Sequence, residues 1–138
     1  MKWIILLGAL FLLMQVTTAH AAKPNLLVNG SFEQGFTGWE MHDQRGIVPG
    51  RCGTSAANLQ RSFARQVGYK LQAGKTYKLV LWYVGRLSVS VANGEDLKAS
   101  EWTKFVHTFT AEQQQPTIWL MGYTNDPLVV DCMKLVKQ

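Results

Sequence analysis

The sequence predicts one all-β domain, a sandwich or barrel of short strands, over residues 22–138. Three observations carry that prediction. Turn-forming residues recur about every ten positions: Asn29-Gly30, Gly50, Gly53, Ala73-Gly74-Lys75, Asn93-Gly94, Gln115-Pro116 and Asn125-Asp126-Pro127. The stretches between them are short and β-prone. No window holds a long apolar stripe at helical spacing with caps at both ends, so helices are not expected.

The chain opens on an expected leader, residues 1–21. Lys2 is the only charge before Lys23, residues 3–14 are apolar throughout, and Ala19-His20-Ala21 offers the small residues a signal peptidase requires. The apolar run is shorter than the roughly 20 residues of a bilayer span, which favours cleavage after Ala21 over a membrane anchor. Export to a secreted or periplasmic location follows.

The strands are expected in order at 26–33, 63–71, 76–85, 87–92, 105–110, 117–123 and 128–136. The stretch 76–85 is the clearest. Tyr77, Leu79, Leu81 and Tyr83 share one face, while Lys78, Val80, Trp82 and Val84 share the other. A lysine resists burial, so the first face is assigned to the core and Trp82 points outward. In 117–123, Ile118 and Leu120 face the core, while Trp119, Met121 and Tyr123 share the opposite side. Two strands thus turn a tryptophan away from the core, a surface that soluble monomers seldom leave unused.

Composition narrows the function classes. The chain is 47% hydrophobic and 17% charged, unlike a disordered tail. Removing residues 1–21 from 138 leaves 117, too few for separate cofactor and substrate domains but enough to bury roughly two-thirds of the unfolded surface. Lys2 leaves with the leader, so 13 basic residues face nine acidic ones, a net charge of +4. The basic residues are scattered, without the footprint of a nucleic-acid partner.

Catalytic motifs are absent. Only His42 and His107 remain after cleavage, and no G-x-S-x-G, H-E-x-x-H or Gly-rich phosphate loop occurs. His107 alternates with Phe105 and Phe109 and reads as a strand residue flanked by core. A glycosidase needs two carboxylates roughly 5–10 Å apart across a cleft. Glu95, Asp96 and Glu101 are close in sequence but read as a solvated polar turn. No enzyme is expected.

Cys52 and Cys132 both survive cleavage and meet an oxidising compartment. Pairing is favoured over two separate thiols, and a bridge across 80 positions would contribute about 4 kcal/mol in the chain-entropy model.

The stretch Asn25-Leu-Leu-Val-Asn-Gly-Ser-Phe-Glu-Gln-Gly-Phe-Thr-Gly-Trp39 resembles the opening of carbohydrate-binding modules of the family 4, 9 and 22 type, N-L-x-x-N-G-x-F-E-x-G with a G-W shortly after. Arg65-Gln66-Val67 with Gln72–Tyr77 is similar to their Q-x-V … G-x-T-Y pair. Glu101–Phe105 with Phe109-Thr110 is similar to W-x-x-F … F-T, and 129–135 to the terminal I-D-D-V-x-L strand. The match runs in order over nearly all of 25–136. It implies a galactose-binding-like jelly roll, two antiparallel sheets packed face to face with the first and last strands adjacent. The departure is Cys132, where the family carries its second Asp.

The resemblance also implies site residues. A structural Ca²⁺ would take Glu33 and Asp131, with backbone oxygens near Ser31 and the 51–53 turn. On the residues alone, the favoured reading of Glu33 and Asp131 is ordinary edge residues or partners of a Lys or Arg. For sugar, aromatic rings stack on C–H faces while polar groups bond the hydroxyls. Trp82, Trp119 and Tyr123 are the expected floor, with Arg86, and less so Gln66 and Asn125, on the rim. Trp39 and Trp102 sit at the family's structural positions and are left out. The sequon Asn29-Gly30-Ser31 is expected to be unmodified.

The resulting expectation is a monomeric, non-catalytic domain that binds a poly- or oligosaccharide, with no nucleic-acid partner and no membrane contact once the leader is removed. The alternative keeps the fold and gives the aromatic surface to a protein partner.

Overall fold

The computed structural model describes residues 23–42, 46–66, 69–92, 95–112, 117–123 and 125–138. The expected leader and the turns at Asn93-Gly94 and Gln115-Pro116 lie outside these residues. Eight strands are described: β1 (Trp39–Met41), β2 (Ile47–Pro49), β3 (Ser55–Asn58), β4 (Phe63–Gln66), β5 (Thr76–Val89), β6 (Leu97–Thr110), β7 (Trp119–Gly122) and β8 (Leu128–Lys137), with one 3-10 turn at Ser90–Ala92. All pairings are antiparallel, and the order is β1-β4-β7-β5-β8-β3-β2 with β6 on the other side of β5.

The long strand β5 organises the fold because its two halves choose different partners. Tyr77 to Gly85 pair with β8, and Leu87 to Val89 pair with β7, while β6 follows β5 along both halves. One sheet is therefore β2-β3-β8-β5-β6 and the other β1-β4-β7-β5-β6, a jelly-roll β-sandwich. The turning point is Gly85. Its φ is +105°, and a Cβ there would strike the carbonyl of Pro127. Only glycine satisfies both conditions. The two expected strands 76–85 and 87–92 are thus one strand bent at a glycine, and the last three residues of 87–92 form the 3-10 turn.

The core follows the alternation. Tyr77, Leu79, Leu81 and Tyr83 are buried, and Leu87 and Val89 continue the series past the bend. Leu120 of β7 and Ile118 just before it face them, with Leu128, Val130 and Leu135 from β8. His107 lies between Phe105 and Phe109, its Nε2 3.0 Å from the Val91 carbonyl. It is a packing residue, as its alternation suggests.

Three expectations are corrected. The stretch 26–33 is not a strand. Asn29 and Phe32 take positive φ (51° and 57°), which breaks an extended run. The segment still lies along β8, through Leu26 N to Leu135 O (2.8 Å) and Met133 N to Gly30 O (2.9 Å). The Asn29 amide is spent inside this turn, donating to the Gly35 and Thr37 carbonyls and accepting from Gln34 N. Glu101 is not in a turn, because β6 starts at Leu97 and carries it within the strand. Gln66 is not a rim residue. It is buried, and its amide pairs with Val28 as a backbone group would: Val28 N to Oε1 2.8 Å, Nε2 to Val28 O 2.6 Å.

Candidate functional site

The outward face of the second sheet is built by cross-strand pairs. Register sets Glu40 of β1 beside Arg65 of β4, and Arg65 beside Trp119 of β7. A second row joins Phe63 of β4, Met121 of β7 and Ser88 of β5. The residues between them, Met41, Ala64, Leu120 and Val89, turn inward, so alternation sends this set outward.

The centre is aromatic. Phe63 meets Trp119 edge-on at 5.0 Å between ring centroids, and His42 stacks on Phe63 at 5.0 Å and 17°. Arg65 brings its guanidinium 4.5 Å from the Trp119 ring centroid and donates to Glu40 at 2.6 Å. An open groove of about 590 Å³ lies against Glu40, Met41, His42, Phe63, Arg65 and Trp119. It offers an apolar floor and a charged, hydrogen-bonding rim. Met121, 39% exposed, extends the floor along β7.

Farther along the same side, Arg86 lies 3.8 Å from the Tyr123 ring centroid. Its guanidinium is shared between Asp96 (2.8 and 3.1 Å) and Asp126 (3.1 Å). These two acids push its pKa far above the usual arginine range, and Arg86 in turn holds the Asp96 carboxyl below the carboxylate range. Three of its N–H groups are thus committed, and Arg86 lines a separate open pocket with Lys98 and Pro127 rather than the groove.

Trp119, Tyr123 and Arg86 therefore share one side of the second sheet. Trp82 does not join them. It lies on the outward face of the first sheet, between Lys104 of β6 and Asp131 of β8, with the Arg51 guanidinium 3.4 Å over its ring. Phe63, His42, Arg65 and Glu40 were missed by the sequence reading. The alternation of Phe63 and Arg65 against the core residue Ala64 was the available signal. Asn125 is exposed.

The corner expected to hold calcium is arranged around the 51–55 loop. Asp131 is fully buried. Its Oδ2 accepts from Arg51 N (2.7 Å) and Cys52 N (3.0 Å), and its Oδ1 from Cys132 N (2.7 Å). Glu33 holds the other end, accepting from Thr54 Oγ1 (2.8 Å) and Ser55 N (2.9 Å), which lower its carboxyl pKa. Cys52 and Cys132 are joined in a disulfide beside Asp131. Ser31 is hydrogen-bonded to neither carboxylate among the described contacts; it lines a pocket beside the disulfide. Ca²⁺ needs six to eight oxygens directed at it. Here the carboxylates meet N–H and O–H donors, and the chelating group around Asp131 consists of the two bonded sulfurs. As arranged, these residues do not fit calcium. Chelation with EDTA is expected to leave the melting temperature unchanged, measured by thermal unfolding; a calcium-dependent rise of several degrees would overturn this reading.

Comparison with known proteins agrees on the fold. No protein-family model matches the sequence, and no curated protein matches it. Solved structures do. A family 16 carbohydrate-binding module shares 23% identity at a TM-score of 0.65, covering 81% of this chain and 99% of the module. The CBM22-1 xylan-binding domain of Paenibacillus barcinonensis Xyn10C shares 15% identity at 0.61, covering 86% and 97%. TmCBM61, solved in complex with β-1,4-galactotriose, shares 20% identity at 0.56, covering 84% and 100%. At these identities the likeness shows the fold: the chain has the jelly roll of carbohydrate-binding modules, as its sequence resemblance implies.

Proposed function

We propose that this protein is a secreted, non-catalytic carbohydrate-binding protein that stacks a poly- or oligosaccharide on the outward face of its second sheet. The observation that carries the proposal is the Trp119–Phe63–His42 cluster with Arg65 and Glu40 beside it. Sugar rings present apolar C–H faces and a rim of hydroxyls. An aromatic floor matches the former, and a guanidinium–carboxylate pair offers both donors and acceptors to the latter. The face is a groove open at its surface, which suits a chain laid along it rather than a small molecule enclosed. The fold supports the reading, since the similar structures include a xylan-binding domain and a galactotriose complex.

No covalent step is involved. Binding is an equilibrium in which stacking and hydrogen bonds offset the lost freedom of the chain. Native affinity electrophoresis through gels containing different neutral polysaccharides tests the proposal. Retardation by one polymer class, with quenching or shift of tryptophan emission, is expected. Unaltered mobility across xylan, glucan, galactan and mannan gels, together with a co-purifying protein, would replace the sugar with a protein partner.

A further inference from the structure

Among the described residues three arginines stack on aromatic rings, and their acid partners differ. Arg65, near Trp119, is paired with Glu40, and Arg86, on Tyr123, is paired with Asp96 and Asp126. Arg51 lies closest of the three to its ring, 3.4 Å from the Trp82 centroid, yet among the described residues no carboxylate meets its guanidinium. Its backbone is held in place by Asp131, which accepts from Arg51 N, and by the neighbouring Cys52–Cys132 bridge. The structure thus orients an exposed guanidinium against a ring, its hydrogen-bonding edge unpaired among the described residues.

The surroundings carry the same sign. Trp82 is register-paired with Lys104, Val80 with Lys134, and Lys78 with Thr108 and Val136. Lys78, Val80 and Trp82 alternate with the core residues Leu79 and Leu81, so these partners all face outward. Lys78, Lys104 and Lys134 are exposed and have no acid partner among the described residues. The one acid register-paired into this patch, Asp131, is buried and has both oxygens occupied by backbone N–H groups. Lys78, Lys104 and Lys134 therefore lie on three adjacent strands, β5, β6 and β8, and Arg51 joins them from the 51–55 loop over Trp82.

We infer that this face of the first sheet is a second binding surface, for an acidic polysaccharide whose carboxylates repeat along the chain. A planar guanidinium held on a ring presents the fork that matches a carboxylate. Val80 and Val106, register-paired on the same outward face, supply apolar surface for the sugar rings beside the guanidinium. Cations on three neighbouring strands, Lys78 and Lys134 diagonal to one another at about 7–8 Å and Lys104 level with a position two residues farther along β5, meet a repeating polyanion better than a single anion. A membrane surface fits less well. Of the four large exposed hydrophobics among the described residues only Val106 is on this face, too little to insert. The surface is separate from the Trp119 groove and does not depend on that site binding sugar.

The test is calorimetric titration of the purified protein with polygalacturonate and with its methyl ester, which has the same backbone without the charge. Binding to the acid alone is expected, weakening as salt rises. Arg51→Gln and Lys104→Gln are each expected to bind polygalacturonate about tenfold more weakly, since each removes a charge-assisted contact. Both replace exposed side chains, and unchanged melting temperatures would confirm retained fold. Trp119→Ala is expected to bind polygalacturonate as the unaltered protein does. No binding to the acid, equal binding to acid and ester, or undiminished binding by both cation variants would each overturn the inference. So would tighter binding to phosphatidylglycerol vesicles or duplex DNA than to polygalacturonate.

Discussion

Replacing Cys52 and Cys132 together by serine is expected to lower the melting temperature by roughly 10–20 °C while leaving the folded structure in place. The bridge joins positions 80 apart, so without it the unfolded chain gains a large loop's worth of freedom. The chain-entropy model puts that at about 4 kcal/mol, a large share of the stability of a domain this size. The native corner survives because other bonds hold it. Asp131 accepts from the backbone of Arg51, Cys52 and Cys132, and Glu33 grips Thr54 and Ser55. Thermal unfolding followed by circular dichroism, for the double variant and for the reduced protein, measures the effect. A fall of less than about 3 °C in both would show that the carboxylates alone anchor the loop and that the bridge adds nothing to the difference between folded and unfolded chains.

The strands show what the sequence can and cannot specify. Lys78 was enough to orient β5, because a lysine at one position of a strict alternation decides which side is core. Gly85 misled, because a glycine in a strand reads as an end. Its role as a bend is visible only with the Pro127 carbonyl packed against it, a contact across more than forty residues. The strands β1, β2 and β3 went unread because three or four residues cannot establish a period. They exist through pairing with β4, with one another and with β8. At 26–33 the error was the reverse. The pattern was extended, but left-handed φ at Asn29 and Phe32 turned it into a series of turns.

The site was legible in the same partial way. Alternation identified Trp82 and Trp119 as pointing away from the core, and both do. It could not say that β5 and β7 present those rings on different sheets, since that depends on which half of β5 meets β7. The arginines stacked on the rings were also hidden. Arg51 reaches Trp82 from a loop placed by Asp131, and Arg65 reaches Trp119 through the β4–β7 register. Each pairing is set by long-range structure, and no local spacing records it.

Trp119→Ala is expected to weaken neutral-polysaccharide binding by at least about tenfold, the range of a central aromatic anchor. The reason is the ring's position. It is half-buried, packed edge-on against Phe63 and flanked by Arg65, so it is held in one orientation before the sugar arrives and little freedom is lost on binding. Removing it takes away the floor and leaves Arg65 to its bond with Glu40 alone. The fold should tolerate the change, because the inward neighbours Ile118 and Leu120, on either side of Trp119, supply this stretch's share of the core. Tyr123→Ala should cost less, since Arg86 already covers that ring. Trp82→Ala, on the other sheet, should leave neutral-polysaccharide affinity unchanged. Titration calorimetry of the three variants against the retarding polysaccharide separates these outcomes. If Trp82→Ala abolished binding and Trp119→Ala did not, the site would move to the first sheet, and the cluster built on Phe63 and His42 would become a packing feature.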